Sequence, residues 1–112
     1  MKSLDEILRM DNPSEYLYEY AERNGRLEPK WEELLLSLGD PHWLYRYATD
    51  IIKRRWGEAE EHIKKDPEYA YCYIINIIKG RWEKAEEYIM RDPHWWRLYY
   101  EYFNIEEYDE IT

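Results

Sequence analysis

The residues of this chain that could do chemistry are two matched histidines, two glutamate pairs, a row of cations and a crowd of terminal aromatics. His42 and His94 occupy the same place in two copies of Asp-Pro-His-Trp, an arrangement open to reading as paired metal ligands. Zinc needs three or four donors converging within bonding distance. These two histidines stand two repeats apart and His62 falls on a different segment, so no metal site is expected. Glu60-Glu61 and Glu86-Glu87 are adjacent carboxylates of the kind used in acid/base catalysis. They fall in the first turns of short helices, where negative charge favours the positive end of the helix dipole, and that accounts for them without chemistry. The periodicity brings together no Ser-His-Asp or Cys-His set, and four glycines form no phosphate-cradling loop. No catalytic residue and no cofactor is expected.

The cations Arg23 and Arg26, then Lys53, Arg54 and Arg55, then Lys79 and Arg81 recur so that stacked repeats would align them into a stripe. Such a stripe could hold phosphates or a nucleotide. Cations also suit helix C-termini, and neighbouring glutamates would neutralise them. The end of the chain is richer. Trp95, Trp96, Tyr99, Tyr100, Tyr102, Phe103 and Tyr108 crowd into 14 residues, and positions 101 to 112 carry Glu101, Glu106, Glu107, Asp109 and Glu110 with no Lys or Arg. Aromatic anchors supply buried area and acidic neighbours supply steering toward a basic protein. The expected partner-binding set is therefore Trp95, Glu101, Tyr102, Glu106, Glu107, Tyr108, Asp109 and Glu110. The plainer reading is that the rings close the core and the tail is a soluble cap.

What must position these groups is a tandem repeat. Asp40-Pro41, Asp66-Pro67 and Asp92-Pro93 are spaced by 26 residues, and the segments from Arg55-Trp56 and Arg81-Trp82 align without a gap through the next Asp-Pro. Self-similarity at a fixed period of about 20 to 50 residues is the signature of stacked supersecondary units. After each Asp-Pro the apolar residues fall at helical spacing: Leu44, Tyr47, Ala48, Ile51; Ala70, Tyr73, Ile74, Ile77; Trp96, Tyr99, Tyr100, Phe103. Asp can cap the helix and Pro suits its first position. A short helix follows, turning Trp56, Ala59 and Ile63 or Trp82, Ala85 and Ile89 inward, with Trp31, Leu34 and Leu38 as the expected counterparts one unit earlier. Gly80 is placed to take a left-handed helix end. Near the start, Ser3 and Glu6 have capping-box spacing, with Leu4 and Leu8 in the places of Ala59 and Ile63.

With no Val or Gln and only two Thr, the chain reads as all-α: a small α-solenoid of about eight alternating short and longer antiparallel helices in 26-residue repeats. The expected helices span 3–10, 14–24, 30–38, 41–54, 56–65, 67–79, 82–91 and 93–106. They form a single domain, 1–112, with units at about 1–25, 26–54, 55–80 and 81–107 and an acidic tail at 106–112. Gly-Arg-Trp-x-x-Ala-Glu-x-x-Ile-x-x-Asp-Pro, carried by Gly80 to Pro93, resembles short helical tandem repeats of largely uncharacterised tailed-phage and bacterial proteins. The resemblance extends from about Ser14 to Phe103. It implies an α-solenoid and a phage source, and brings no catalytic residues.

Net charge is −9, which opposes general nucleic-acid binding and fits a basic partner. Cys72 is the lone cysteine, so no intrachain disulfide is possible. The start lacks a secretory pattern and no apolar run is long enough to span a bilayer, so a soluble protein is expected, in the cytoplasm of a bacterial host if phage-encoded. The leading expectation is a non-enzymatic protein-binding module, in its sharper form an acidic inhibitor that mimics nucleic acid and blocks a basic host defence protein. The alternative is self-association, as a homodimer or filament, through the aromatic C-terminal helix. A phosphate or nucleotide sponge comes third.

Overall fold

A computed structural model describes residues 1–105, and among them all regular structure is helical. The helices are α1 (Leu4–Leu8), α2 (Pro13–Asn24), α3 (Pro29–Leu38), α4 (Pro41–Tyr47), α5 (Gly57–Ile63), α6 (Pro67–Tyr73), α7 (Glu83–Ile89) and α8 (Pro93–Tyr102). Their starts follow local chemistry. The carboxylates of Asp40, Asp66 and Asp92 accept backbone N–H groups of the first turn, and a proline occupies N1 each time. Asn12 and Pro13 do the same for α2, and Ser3 with Glu6 completes both arms of the capping box on α1.

The helix ends differ from the sequence expectation. Helices α4 and α6 do not run on as α-helix; each widens into a π-helical turn, Ala48–Ile52 and Ile74–Ile78. The turn closes when Lys53 N–H donates to the Ala48 carbonyl and Lys79 N–H to that of Ile74, five residues back. The left-handed residue is then Lys79, at φ 59°, with Lys53 at 63°, and Gly80 is not needed for it. Cations at this place carry some backbone strain but lie at the negative end of the helix dipole.

Long helices α2, α4, α6 and α8 pack in succession, and each short helix packs on a neighbouring long one, in a body of 53 × 24 × 18 Å. Of the expected stripe, Leu44, Tyr47 and Ala48, then Ala70, Tyr73 and Ile74, then Trp96, Tyr99 and Tyr100 are buried, while Ile51, Ile77 and Phe103 are only partly covered. Trp56, Ala59 and Ile63, and Trp82, Ala85 and Ile89, are buried from the short-helix side.

The earlier units depart from the expected register. In α3 the buried residue is Leu35, preceded by buried Leu27, whereas Trp31, Leu34 and Leu38 are only partly covered. Leu27 is thus the structural counterpart of Trp56, and the extra residues around Pro29 and Gly39 shift the pattern between them. In α1 the buried residue is Ile7, not Leu4 or Leu8, which point out to solvent.

Gly39 ends α3 at φ +65°, and a Cβ there would lie 3.2 Å from the His62 ring. Gly39→Ala is expected to cost about 1–2 kcal/mol, from left-handed strain and displacement of that ring. Thermal unfolding checks it; an unchanged melting temperature would mean that the turn can rearrange freely.

Candidate partner-binding surface

The same four-part contact recurs in three units and takes up Arg26, Arg55 and Arg81 of the apparent basic stripe. In the middle unit the Tyr73 hydroxyl donates to Glu60 at 2.8 Å and accepts the Trp56 N–H at 2.8 Å. Arg55 grips the same carboxylate with two hydrogen bonds of 2.8 Å. One unit on, Tyr99 bridges Glu86 and the Trp82 N–H while Arg81 holds Glu86 at both oxygens. One unit back, Tyr47 bridges Glu32 and the Leu27 N–H, and Arg26 holds Glu32. Each latch lets a fully buried tyrosine satisfy its hydroxyl while supplying an acceptor to a buried N–H where the chain enters a short helix.

The latch also sets protonation. Burial, with the hydrogen bond to glutamate adding, pushes Tyr47, Tyr73 and Tyr99 well above ordinary tyrosine. Burial alone would raise Glu60, but hydrogen bonds from Arg55 and Tyr73 outweigh it and hold the carboxyl below its usual value. Glu60 and Glu86 are therefore more than helix-dipole partners, the role their positions suggested. The recurrence of Arg, Glu and Tyr at matched offsets was visible in the sequence; that their side chains meet was not.

A second recurrent contact is an aromatic ladder between long helices. Trp43 packs on Tyr18 at 5.3 Å, Tyr69 on Tyr45 at 5.9 Å and Trp95 on Tyr71 at 5.5 Å. The next rung position holds Arg97 in place of Tyr45 or Tyr71, so the ladder stops at α8. Tyr18 is further tied to Asp50 through its hydroxyl at 2.5 Å and overlaid by the Arg46 guanidinium, and burial with that hydrogen bond pushes it up to about 12.

The expected partner-binding residues are accordingly split. Trp95 is half-buried against Tyr71, while Trp96, Tyr99 and Tyr100 belong to the core. Tyr102, on Phe103, is 55% exposed, and Glu101 is exposed beside Arg97 at 4.0 Å. Glu106, Glu107, Tyr108, Asp109 and Glu110 lie outside the described residues. Among the described residues of the aromatic cluster, Trp96, Tyr99 and Tyr100 are buried and Tyr102 is outward.

Two of the histidines make ring contacts. His42 stacks between Trp43 and Tyr69, and His94 meets the edge of Trp95. Among the described residues no group of three His, Cys, Asp or Glu side chains could hold a metal ion, and no helix is long and apolar enough to cross a membrane. Cys72 is half-buried, its thiol pushed up by burial and by nearby Glu68 and Asp66. No protein-family model, curated protein or solved structure matches the chain.

Proposed function

We propose that the chain is a non-enzymatic protein-binding helical-repeat module whose partner is basic. The observation that carries this reading is the fate of the arginines. Arg26, Arg55 and Arg81 are each consumed by a two-point grip on a glutamate of their own unit. Three cations of the stripe are thereby neutralised within the molecule, leaving Arg23, Lys53, Arg54 and Lys79 exposed, and the surplus of −9 remains for solvent and partners. The sequence after Glu101 and Tyr102 adds Glu106, Glu107, Asp109 and Glu110 with no Lys or Arg.

An acidic surface attracts a basic protein over a Debye length and competes for sites built to hold phosphates. The sharper form of the proposal is an inhibitor that fills the nucleic-acid groove of a basic host protein. The resemblance of the Gly80–Pro93 pattern to tailed-phage repeats supports a bacterial cytoplasm as the setting.

The test is affinity capture from bacterial lysate at low and moderate salt, beside a variant with Glu106→Gln, Glu107→Gln, Asp109→Asn and Glu110→Gln. Capture of a basic nucleic-acid-handling protein, weakened by salt and by the variant, is the expected outcome. Equal capture by both chains would remove the tail from the proposal, and no basic protein recovered would remove the proposal.

A further inference from the structure

We propose that Asn24 is a spontaneous modification site, deamidated through its junction with Gly25, and that the closed end of α2 is the gate on that reaction. In deamidation the backbone nitrogen of the following residue gives up its proton and attacks the asparagine Cγ. The Cγ–Nδ2 bond breaks and ammonia leaves. Water then opens the resulting succinimide ring, at one carbonyl to give aspartate and at the other to give isoaspartate, which carries the main chain through an extra methylene. Water is the one co-reactant. Of the four asparagines, Asn24 alone precedes glycine; the others precede Pro13, Ile77 and Ile105. A proline nitrogen has no proton to give up, and a branched side chain shields the nitrogen beside it. Asn24 and Gly25 are both exposed, and a Cβ built on Gly25 would meet nothing within 4 Å, so the attacking nitrogen is unscreened.

The fold itself demands this glycine. Gly25 caps α2 at φ 92°, a conformation that side chains rarely adopt. The residue that lets the helix end therefore also makes Asn24 reactive. In the closed state both reacting groups are held. The Gly25 N–H donates to the Ala21 carbonyl at 2.7 Å, which keeps the proton on the nucleophile. The Asn24 Nδ2 donates to the Tyr20 carbonyl at 2.9 Å, which ties the amide back along the helix. Ring closure needs both bonds released. Just beyond, Arg26 grips Glu32 and the Leu27 N–H donates to Tyr47, so the first latch anchors the chain as it leaves α2. Release of the last turn is a local unfolding event, and its population sets the rate of reaction.

The product cannot restore the closed end. A carboxylate at position 24 has no N–H for the Tyr20 carbonyl and places negative charge at the negative end of the helix dipole. Isoaspartate moves Gly25 out of register with Ala21. Helix α2 packs on both α3 and α4, so a transient opening becomes a lasting loosening of the first latch. The inference is independent of any partner.

Peptide mapping by mass spectrometry, on full chain held in mildly alkaline buffer with and without urea, tests the site and its gate. In urea, conversion is expected at Asn24 well ahead of Asn12, Asn76 and Asn104. In the folded chain it should be slower by about tenfold or more, and Arg26→Ala should bring it back toward the urea rate. Asn24→Asp, standing for the aspartate product, should melt earlier than wild type and exchange the Gly25 amide hydrogen faster. No preference for Asn24 in urea overturns the site. Equal rates in the folded and unfolded chains, or a folded rate unmoved by Arg26→Ala, overturn the gate. An Asn24→Asp chain with unchanged melting and unchanged exchange at Gly25 overturns the loosening.

Discussion

Trp82→Ala is expected to lower the unfolding free energy by about 3–5 kcal/mol, the range for truncating a large buried aromatic. The ring is 5% exposed and packs on Tyr73 at 5.4 Å, so it joins the entry of α7 to the preceding long helix. Its backbone N–H would still donate to Tyr99, which isolates the effect to the lost ring. Domains are stable by only about 5–15 kcal/mol, so this loss is a large share of the total. In a stack where units contact mainly their neighbours, the damage should appear first as melting of the C-terminal half, α7 with α8, ahead of α2 and α4. Urea unfolding followed by circular dichroism, with hydrogen exchange to locate the loss, checks both parts. A cost below about 1 kcal/mol would mean that the indole contributes little burial.

Tyr73→Phe should cost about 1–3 kcal/mol although it removes a single oxygen. The buried Trp56 N–H would lose its acceptor and Glu60 would lose a donor, while the ring would still fill its place in the core. Protonation gives the signature. The folded pKa of Tyr73 is raised above 10.0, so its contribution is fully present below that pH and is lost as pH rises through the folded value. The stability gap between wild type and Tyr73→Phe, measured by urea unfolding, should therefore narrow on going from pH 7 to above pH 10. Glu60 has the opposite sign: its folded pKa lies below 4.5, so its contribution is present above that value and lost as pH falls through the folded one. A gap that stays constant into alkali would show that Tyr73 ionises as readily in the folded chain as in the unfolded one.

Much of the architecture was legible because it depends on neighbours in sequence. Asp40, Asp66 and Asp92 cap the turns that directly follow them, and the apolar stripe from Leu44 to Ala48 and its copies needs only helical periodicity to face inward. The misreadings cluster where insertions slide one unit against the next. Trp31 matched Trp56 as a residue type, yet Leu27 takes that place, because the Tyr47 hydroxyl binds the Leu27 N–H and fixes the register from 20 residues away. Leu4 and Leu8 matched the inward spacing of Ala59 and Ile63, yet α1 is anchored through Ile7 and turned the other way. Lys79 takes the left-handed turn assigned to Gly80 because the π-helical bond to Ile74 closes the helix one residue sooner.

The candidate surface divides along the same line. From the sequence alone came the all-α class, the 26-residue period, the helix starts and the acidic surplus, all of which follow from composition or from residues within a turn or two of one another. Tertiary structure decided that Arg26, Arg55 and Arg81 are spent on internal carboxylates, that Trp95 leans on Tyr71 while Tyr102 faces out, and that two leucines of α1 are left uncovered. The availability of a charge or a ring is a property of what packs beside it. In the latches and the aromatic ladder those neighbours arrive from positions 5 to 25 residues along the chain, bridging parts of the sequence that no single helix period connects.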